Sequence, residues 1–108
     1  MCLKPDIIAT VYFYPSTEGG RQGPTPSDEL TSVLDFEGDC FDCRLLLHEV
    51  GPLWPGQEAV IGIKFLHWDL AKLKLKPGIR FYLREGKAIA EGAIEQVQVK
   101  AAENLSAE

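Results

Sequence analysis

Long apolar runs are missing from this chain of 108 residues: Leu45-Leu46-Leu47 is three residues and no run exceeds the four of Val11-Tyr12-Phe13-Tyr14, far short of the roughly 20 that span a bilayer as a helix. No charged start, apolar stretch and small-residue cleavage site stand in order at the beginning, so no signal peptide and no membrane partner are expected. Cysteine is scarce and odd in number, at Cys2, Cys40 and Cys43, which argues against a disulfide framework and for a reducing, cytoplasmic setting. Imidazoles are limited to His48 and His67, and no second Cys or His pair completes the four ligands of a zinc site. Serine occurs only at Ser16, Ser27, Ser32 and Ser106, never in a Gly-x-Ser-x-Gly elbow. Neither a Gly-x-x-x-x-Gly-Lys-Ser/Thr loop nor a Gly-x-Gly-x-x-Gly fingerprint is present, which excludes the usual phosphate cradles and with them GTP binding by this chain. The expectation is a non-enzymatic protein with no cofactor and no metal.

Positive charge is also in short supply, and unevenly so. Residues 1–54 hold nine acids against the bases Lys4, Arg21 and Arg44, whereas residues 55–108 hold seven acids against eight bases. With a net charge of −5 the chain lacks the long-range positive field behind indiscriminate nucleic-acid binding. A local basic patch in the second half stays open.

What the sequence does have is a period of two. Ile7, Ala9, Val11 and Phe13 alternate with Thr10, Tyr12 and Tyr14, a β-branched and aromatic pattern that reads as a strand. Pro15 to Glu29 carries three glycines and three prolines and reads as a long exposed loop. Leu30 to Phe36 reads as a short strand ended by a Glu37-Gly38-Asp39 turn. From Cys40 to Glu49 the inward set is Phe41, Cys43, Leu45 and Leu47; from Glu58 to Trp68 it is Ala59, Ile61, Ile63 and Phe65. After the Pro77-Gly78 break, Ile79, Phe81 and Leu83 face in and Arg80, Tyr82 and Arg84 face out. Glu85-Gly86-Lys87 is a hairpin connection into a last strand, Ala88 to Val99. There Ala88, Ala90, Gly92 and Ile94 share one parity and Val97 and Val99 the other, so a bulge is expected near Glu95. Asp69 to Lys76 fits either a helical turn or an extended segment. Residues 1–99 are thus expected to form one small antiparallel barrel or sandwich, and residues 100–108 a frayed tail.

Cys40-Phe41-Asp42-Cys43 has the spacing of a redox pair, but it lies in an alternating segment. Residues three apart on a strand point to opposite faces, with Cα atoms roughly 10 Å apart and beyond the ~7 Å limit for a disulfide. Cys43 is read as a small core residue and Cys40 as a solvent-side thiol; a thiol redox protein is the weakest of three functional readings. The binding candidates lie elsewhere. If extended, Lys72, Lys74 and Lys76 align three ammonium groups over buried Leu73 and Leu75. The outward Arg80-Tyr82-Arg84 set places an aromatic between two guanidiniums, a geometry suited to phosphates and a stacked base.

Tyr12 followed by Glu18-Gly19-Gly20-Arg21, then Trp54-Pro55-Gly56, Gly78-Ile79-Arg80-Phe81, Arg84-Glu85-Gly86 and Ala90-Glu91-Gly92-Ala93-Ile94 resembles the C-terminal β-barrel domain of elongation factor Tu, in order and in spacing, over about Ile7 to Val97. The resemblance implies an all-β, six-stranded antiparallel Greek-key barrel without catalysis of its own. In that family the barrel packs on a GTPase domain, contacts the T-stem of aminoacyl-tRNA and meets the nucleotide-exchange factor. By motif, Arg21, Arg84 and Glu85 would face tRNA, with His67 near the same face. The sequence departs from the family in lacking the Tyr-Arg-Pro-Gln-Phe strand. An acidic run of Asp35, Glu37, Asp39 and Asp42 stands in that region, each carboxylate opposing a phosphate by on the order of 1 kcal/mol.

The expectation is therefore a binding module for a structured, tRNA-like RNA or a protein, acting through Arg21, His67, Lys72, Lys74, Lys76, Arg80, Tyr82, Arg84 and Glu85. The alternative is a protein–protein adaptor using the acidic run and the Pro15–Glu29 loop. The strand geometry also predicts that mild oxidant forms no Cys40–Cys43 bridge. Peptide mapping by mass spectrometry checks this, with both thiols still alkylatable after denaturation.

Overall fold

Each alternating run becomes a strand, and the computed structural model, which describes residues 4–98, closes them into a barrel. The strands are β1 (Ile7–Phe13), β2 (Glu29–Phe36), β3 (Asp39–Leu46), β4 (Glu58–Phe65), β5 (Arg80–Arg84) and β6 (Ala88–Val97). Every neighbour is antiparallel, in the closed order β1-β4-β3-β2-β5-β6. β2, β3 and β4 form a meander, and β1 lies beside β4 across a long connection, which is Greek-key winding. Among the described residues helix is confined to a 3-10 turn at Ser16–Glu18 and one α-turn, α1 (Trp68–Ala71). Val99, the tail at 100–108 and Cys2 lie outside the described residues.

The interior is filled by the inward parity. Ile7, Val11, Leu34, Leu45, Ile63, Phe81, Leu83 and Ile94 are buried in a single apolar cluster, each large side chain contributing about 1.5–3 kcal/mol from leaving water. Cys43 joins it while Cys40 is exposed, as the strand geometry requires. The β2–β3 turn places Glu37 at φ 52° and Gly38 at φ 88° between paired Phe36 and Asp39, the two-residue connection whose left-handed pair matches strand twist.

The register between β1 and β6 steps from Ile8↔Gln96 to Ala9↔Ile94. Glu95 is the extra residue, and it returns Val97 to the side that packs on the core. A second step was not expected. β5 and β6 pair as Leu83↔Ala90 and then Arg84↔Ala88, so Ile89 and Ala90 are both buried. Gly92 sits where three strands crowd: an added Cβ would stand 2.6 Å from Phe81 Cζ and 2.8 Å from the Thr10 carbonyl oxygen.

Two segments take their form from tertiary contacts. The Pro15–Glu29 loop is anchored, because buried Thr25 exchanges hydrogen bonds with Leu53: its N–H donates to the Leu53 carbonyl and its hydroxyl accepts the Leu53 N–H, both at 2.9 Å. The segment after β4 is not extended. Trp68, Ala71 and Leu75 pack inward at helical spacing, with the Trp68 ring 5.5 Å from Phe65. Leu73 therefore points away at 69% exposure while Leu75 is at 1%, and Lys72, Lys74 and Lys76 form no strand-like comb. Buried Asp6 ties the start of the chain to β4, its carboxylate accepting the Phe65 N–H at 2.8 Å.

Gly92→Ala is expected to lower stability by about 1–3 kcal/mol, the usual cost of forcing atoms into a packed interior. A urea denaturation midpoint below that of the parent protein, with an unchanged slope, is the check.

Candidate binding surface

Barrel closure decides how the candidate residues meet. Arg80, Tyr82 and Arg84 do stand on the outer face of β5, all exposed. Yet β5 pairs with β2, opposing Asp35 to Tyr82 and Val33 to Arg84, so the acidic strand lies against the basic stripe. Arg84 Nη1 approaches Asp35 Oδ2 at 3.8 Å. The Ser32 hydroxyl donates to the Arg84 carbonyl at 3.1 Å, tying the two backbones together.

The remaining cations meet the same fate in part. Arg21 is drawn from the Pro15–Glu29 loop onto the β5–β6 hairpin, where its guanidinium forms a hydrogen-bonded ion pair with Glu85 and donates to the Pro24 carbonyl at 3.4 Å. Lys74 Nζ donates to Asp39 Oδ2 at 2.8 Å at the β2–β3 turn. That bond, together with the Asp39 charge, raises its pKa. Lys72, Lys76 and Arg80 are exposed and in no ion pair among the described residues. His67 precedes α1 and is exposed, its carbonyl accepting the Leu70 and Ala71 N–H groups. The structure thus brings Arg21 to Glu85 and aligns Arg80, Tyr82 and Arg84 on one strand. The lysines stand apart, on the turn that follows α1.

The hollows on the outer wall include two that are lined by charged side chains. One of ≈440 Å³ lies on the β2–β3–β4 side, with Thr31, Asp42, Arg44, Lys64, Phe65 and Leu66 around it. Its cations are answered by acids, Arg44 by Glu29 at 3.7 Å and Lys64 by Asp6 at 3.6 Å. Cys43 borders it from the core side, and burial, then the Asp42 charge, pushes its thiol up to about 12, so the reactive thiolate is suppressed. The other, of ≈290 Å³, lies on β5, β6, β1 and β4 around Arg80, Glu91, Glu95, Thr10, Tyr12 and Glu58. Beside it the Tyr14 hydroxyl donates to Glu91 at 3.0 Å; burial and that carboxylate push Tyr14 up to about 12.

Glu58, Glu91 and Glu95 escape a reading of the sequence because nothing in their spacing relates residues on three strands; only the register of β6 and β4 on β1 brings them together. Among the described residues no group of three or more His, Cys, Asp or Glu side chains is arranged to hold a metal ion, and no helix is long and apolar enough to cross a membrane. In comparisons with known proteins, no family model and no curated protein matches the chain.

Tyr14 and Cys43 both hold their protons more tightly folded than unfolded. The stability they contribute is complete below their ordinary values of 10.0 and 9.0 and is lost as the pH climbs through about 12. Denaturation free energy is therefore expected to fall from about pH 9 to about pH 12, with Tyr14→Phe removing the Tyr14 share. In iodoacetamide mapping near pH 8, Cys40 is modified in the folded protein and Cys43 only after unfolding.

Proposed function

We propose that this chain is a non-enzymatic binding module, related to the C-terminal barrel of elongation factor Tu, that meets a protein partner with its outer wall. The observation that carries this reading is the filled apolar interior beneath an exterior that holds the charged and aromatic candidates, Arg80, Tyr82 and Arg84 on β5 and the others on loops and turns. A module of this kind works by surface complementarity, with Arg80, Tyr82 and Arg84 presented at every second residue of β5.

A protein partner is favoured over RNA because the cations that would track a phosphate backbone are accompanied by carboxylates. Arg21 is held by Glu85, Arg84 by Asp35 and Lys74 by Asp39. Each such pair cancels most of the local positive potential that phosphate binding draws on. Large apolar side chains also reach solvent at Trp54, Leu66, Leu70 and Leu73, as at surfaces that bind other proteins. The second reading, a tRNA-like RNA bound through Arg21, Arg84, Glu85 and His67, rests on the motif resemblance together with the exposed Lys72, Lys76 and Arg80, which form no ion pair among the described residues.

Titration of labelled tRNA separates the two. At about 50 mM salt micromolar protein is expected to leave the tRNA unshifted in a native gel. A shift whose Kd weakens steeply with added salt, and that Arg84→Glu abolishes, returns the RNA reading instead.

A further inference from the structure

The register of the closed sheet lines up one row of side chains that no sequence motif marks. Asp35 of β2 lies opposite Tyr82 of β5, Tyr82 opposite Glu91 of β6, Glu91 opposite Tyr12 of β1, and Tyr12 opposite Glu58 of β4. Carboxylate and tyrosine alternate across five adjacent strands. Neighbouring strands stand about 4.8 Å apart, which sets successive carboxylates of the row roughly 10 Å from one another. In the parallel row beside it, Arg80 opposes Ala93, Ala93 opposes Thr10 and Thr10 opposes Val60. The small Ala93 side chain leaves the ≈290 Å³ hollow open between the two rows.

The acids of the barrel are of two kinds. Asp6, Glu29, Asp35, Asp39 and Glu85 each stand in an ion pair. Asp28, Glu37, Asp42, Glu49 and Asp69 are exposed and in no ion pair among the described residues. Glu58, Glu91 and Glu95 stand in none among the described residues, and the one cation lining the hollow is Arg80. Two of these acids are nevertheless held in place: Tyr14 donates to Glu91 at 3.0 Å, and Thr10 donates to Glu95 at 2.8 Å. Pinned carboxylates without a cation, flanked by a half-exposed Tyr82 ring and by Tyr12, match the chemistry of lysine and arginine side chains. An ammonium or guanidinium pairs with the carboxylate, and its stem or plane lies over the aromatic ring.

We propose that the outer face of β5, β6, β1 and β4 docks a basic segment of a partner protein, with Glu58, Glu91 and Glu95 receiving its lysine or arginine side chains and Tyr12 and Tyr82 stacking on them. This rests on the reading of the barrel as a protein-binding module and names the chemistry of what it binds. Arg80 is the cation that lines the hollow, and it restricts where a partner's cation enters the row.

The probe is fluorescein-labelled octa-arginine, titrated into the full chain by fluorescence anisotropy at low salt. Glu58→Gln/Glu91→Gln is expected to weaken binding by at least about fivefold. A charge-matched control, Glu49→Gln/Asp69→Asn, made at exposed acids elsewhere, should stay within about twofold. Arg80→Gln should tighten binding, and Tyr82→Ala should weaken it with no change in net charge. Circular dichroism confirms that each variant keeps the parent fold. Equal losses in the two double variants would mean attraction by net charge alone and would overturn the proposal, as would the absence of any binding by the parent protein. Should the parent bind labelled tRNA, with Arg80→Gln weakening that complex, both this proposal and the protein-binding reading fail. If octa-arginine is ignored and tRNA is also unshifted, only the docking proposal falls.

Discussion

The pairing of β2 with β5 is the constraint on which the rest of the molecule depends. An open sheet of six strands would leave two edges of unsatisfied N–H and C=O groups, and closing it removes both. Here closure is brief, running only over Val33↔Arg84, Leu34↔Leu83 and Asp35↔Tyr82. A side chain reinforces it, through the Ser32 hydroxyl on the Arg84 carbonyl. The loop from Pro15 to Glu29 adds Arg21 to the adjacent hairpin through Glu85. The apolar interior follows from closure, because only a closed wall keeps water from the inward faces of all six strands.

The same pairing governs the electrostatics. Along the chain the acids of β2 and β3 and the bases of β5 look like two surfaces awaiting two different partners. In the barrel they are neighbours, and Arg84 with Asp35 and Lys74 with Asp39 join them. Exposed pairs of this kind contribute little to stability, about 0–1 kcal/mol each. Their larger consequence is for recognition: they neutralise one side of β5, whereas on its other side Glu58, Glu91 and Glu95 are in no ion pair among the described residues and share their hollow with the cation Arg80.

Much of the fold is legible because side-chain alternation is a local signal. The inward residues of β1, β3, β4 and β5, the Glu37-Gly38 turn and the place of Cys43 follow from parity alone. So does the bulge at Glu95, since Ile94 and Val97 cannot both face inward without an extra residue between them. The second step, at Ile89, leaves no such trace: Ala88-Ile89-Ala90 is apolar at every position and carries no parity to break. The Lys72–Lys76 segment stays open in the sequence for a related reason. Its strict alternation suits a strand, but Trp68, Ala71 and Leu75 bury more apolar surface by packing at helical spacing, and the larger burial wins. The Gly- and Pro-rich loop is similarly quieter than its composition suggests, because the Thr25 N–H and hydroxyl each bond to the backbone of Leu53, a residue 28 positions away.

By itself the sequence determined that the chain forms strands, which face of each is apolar, and where most of the turns fall, since all of these rest on contacts between residues a few positions apart. Tertiary structure alone decided which strands became neighbours, and so which charges are neutralised and which carboxylates line up with tyrosines. Register between strands far apart in the chain is set by the packing of a shared interior, and no one-dimensional spacing encodes it.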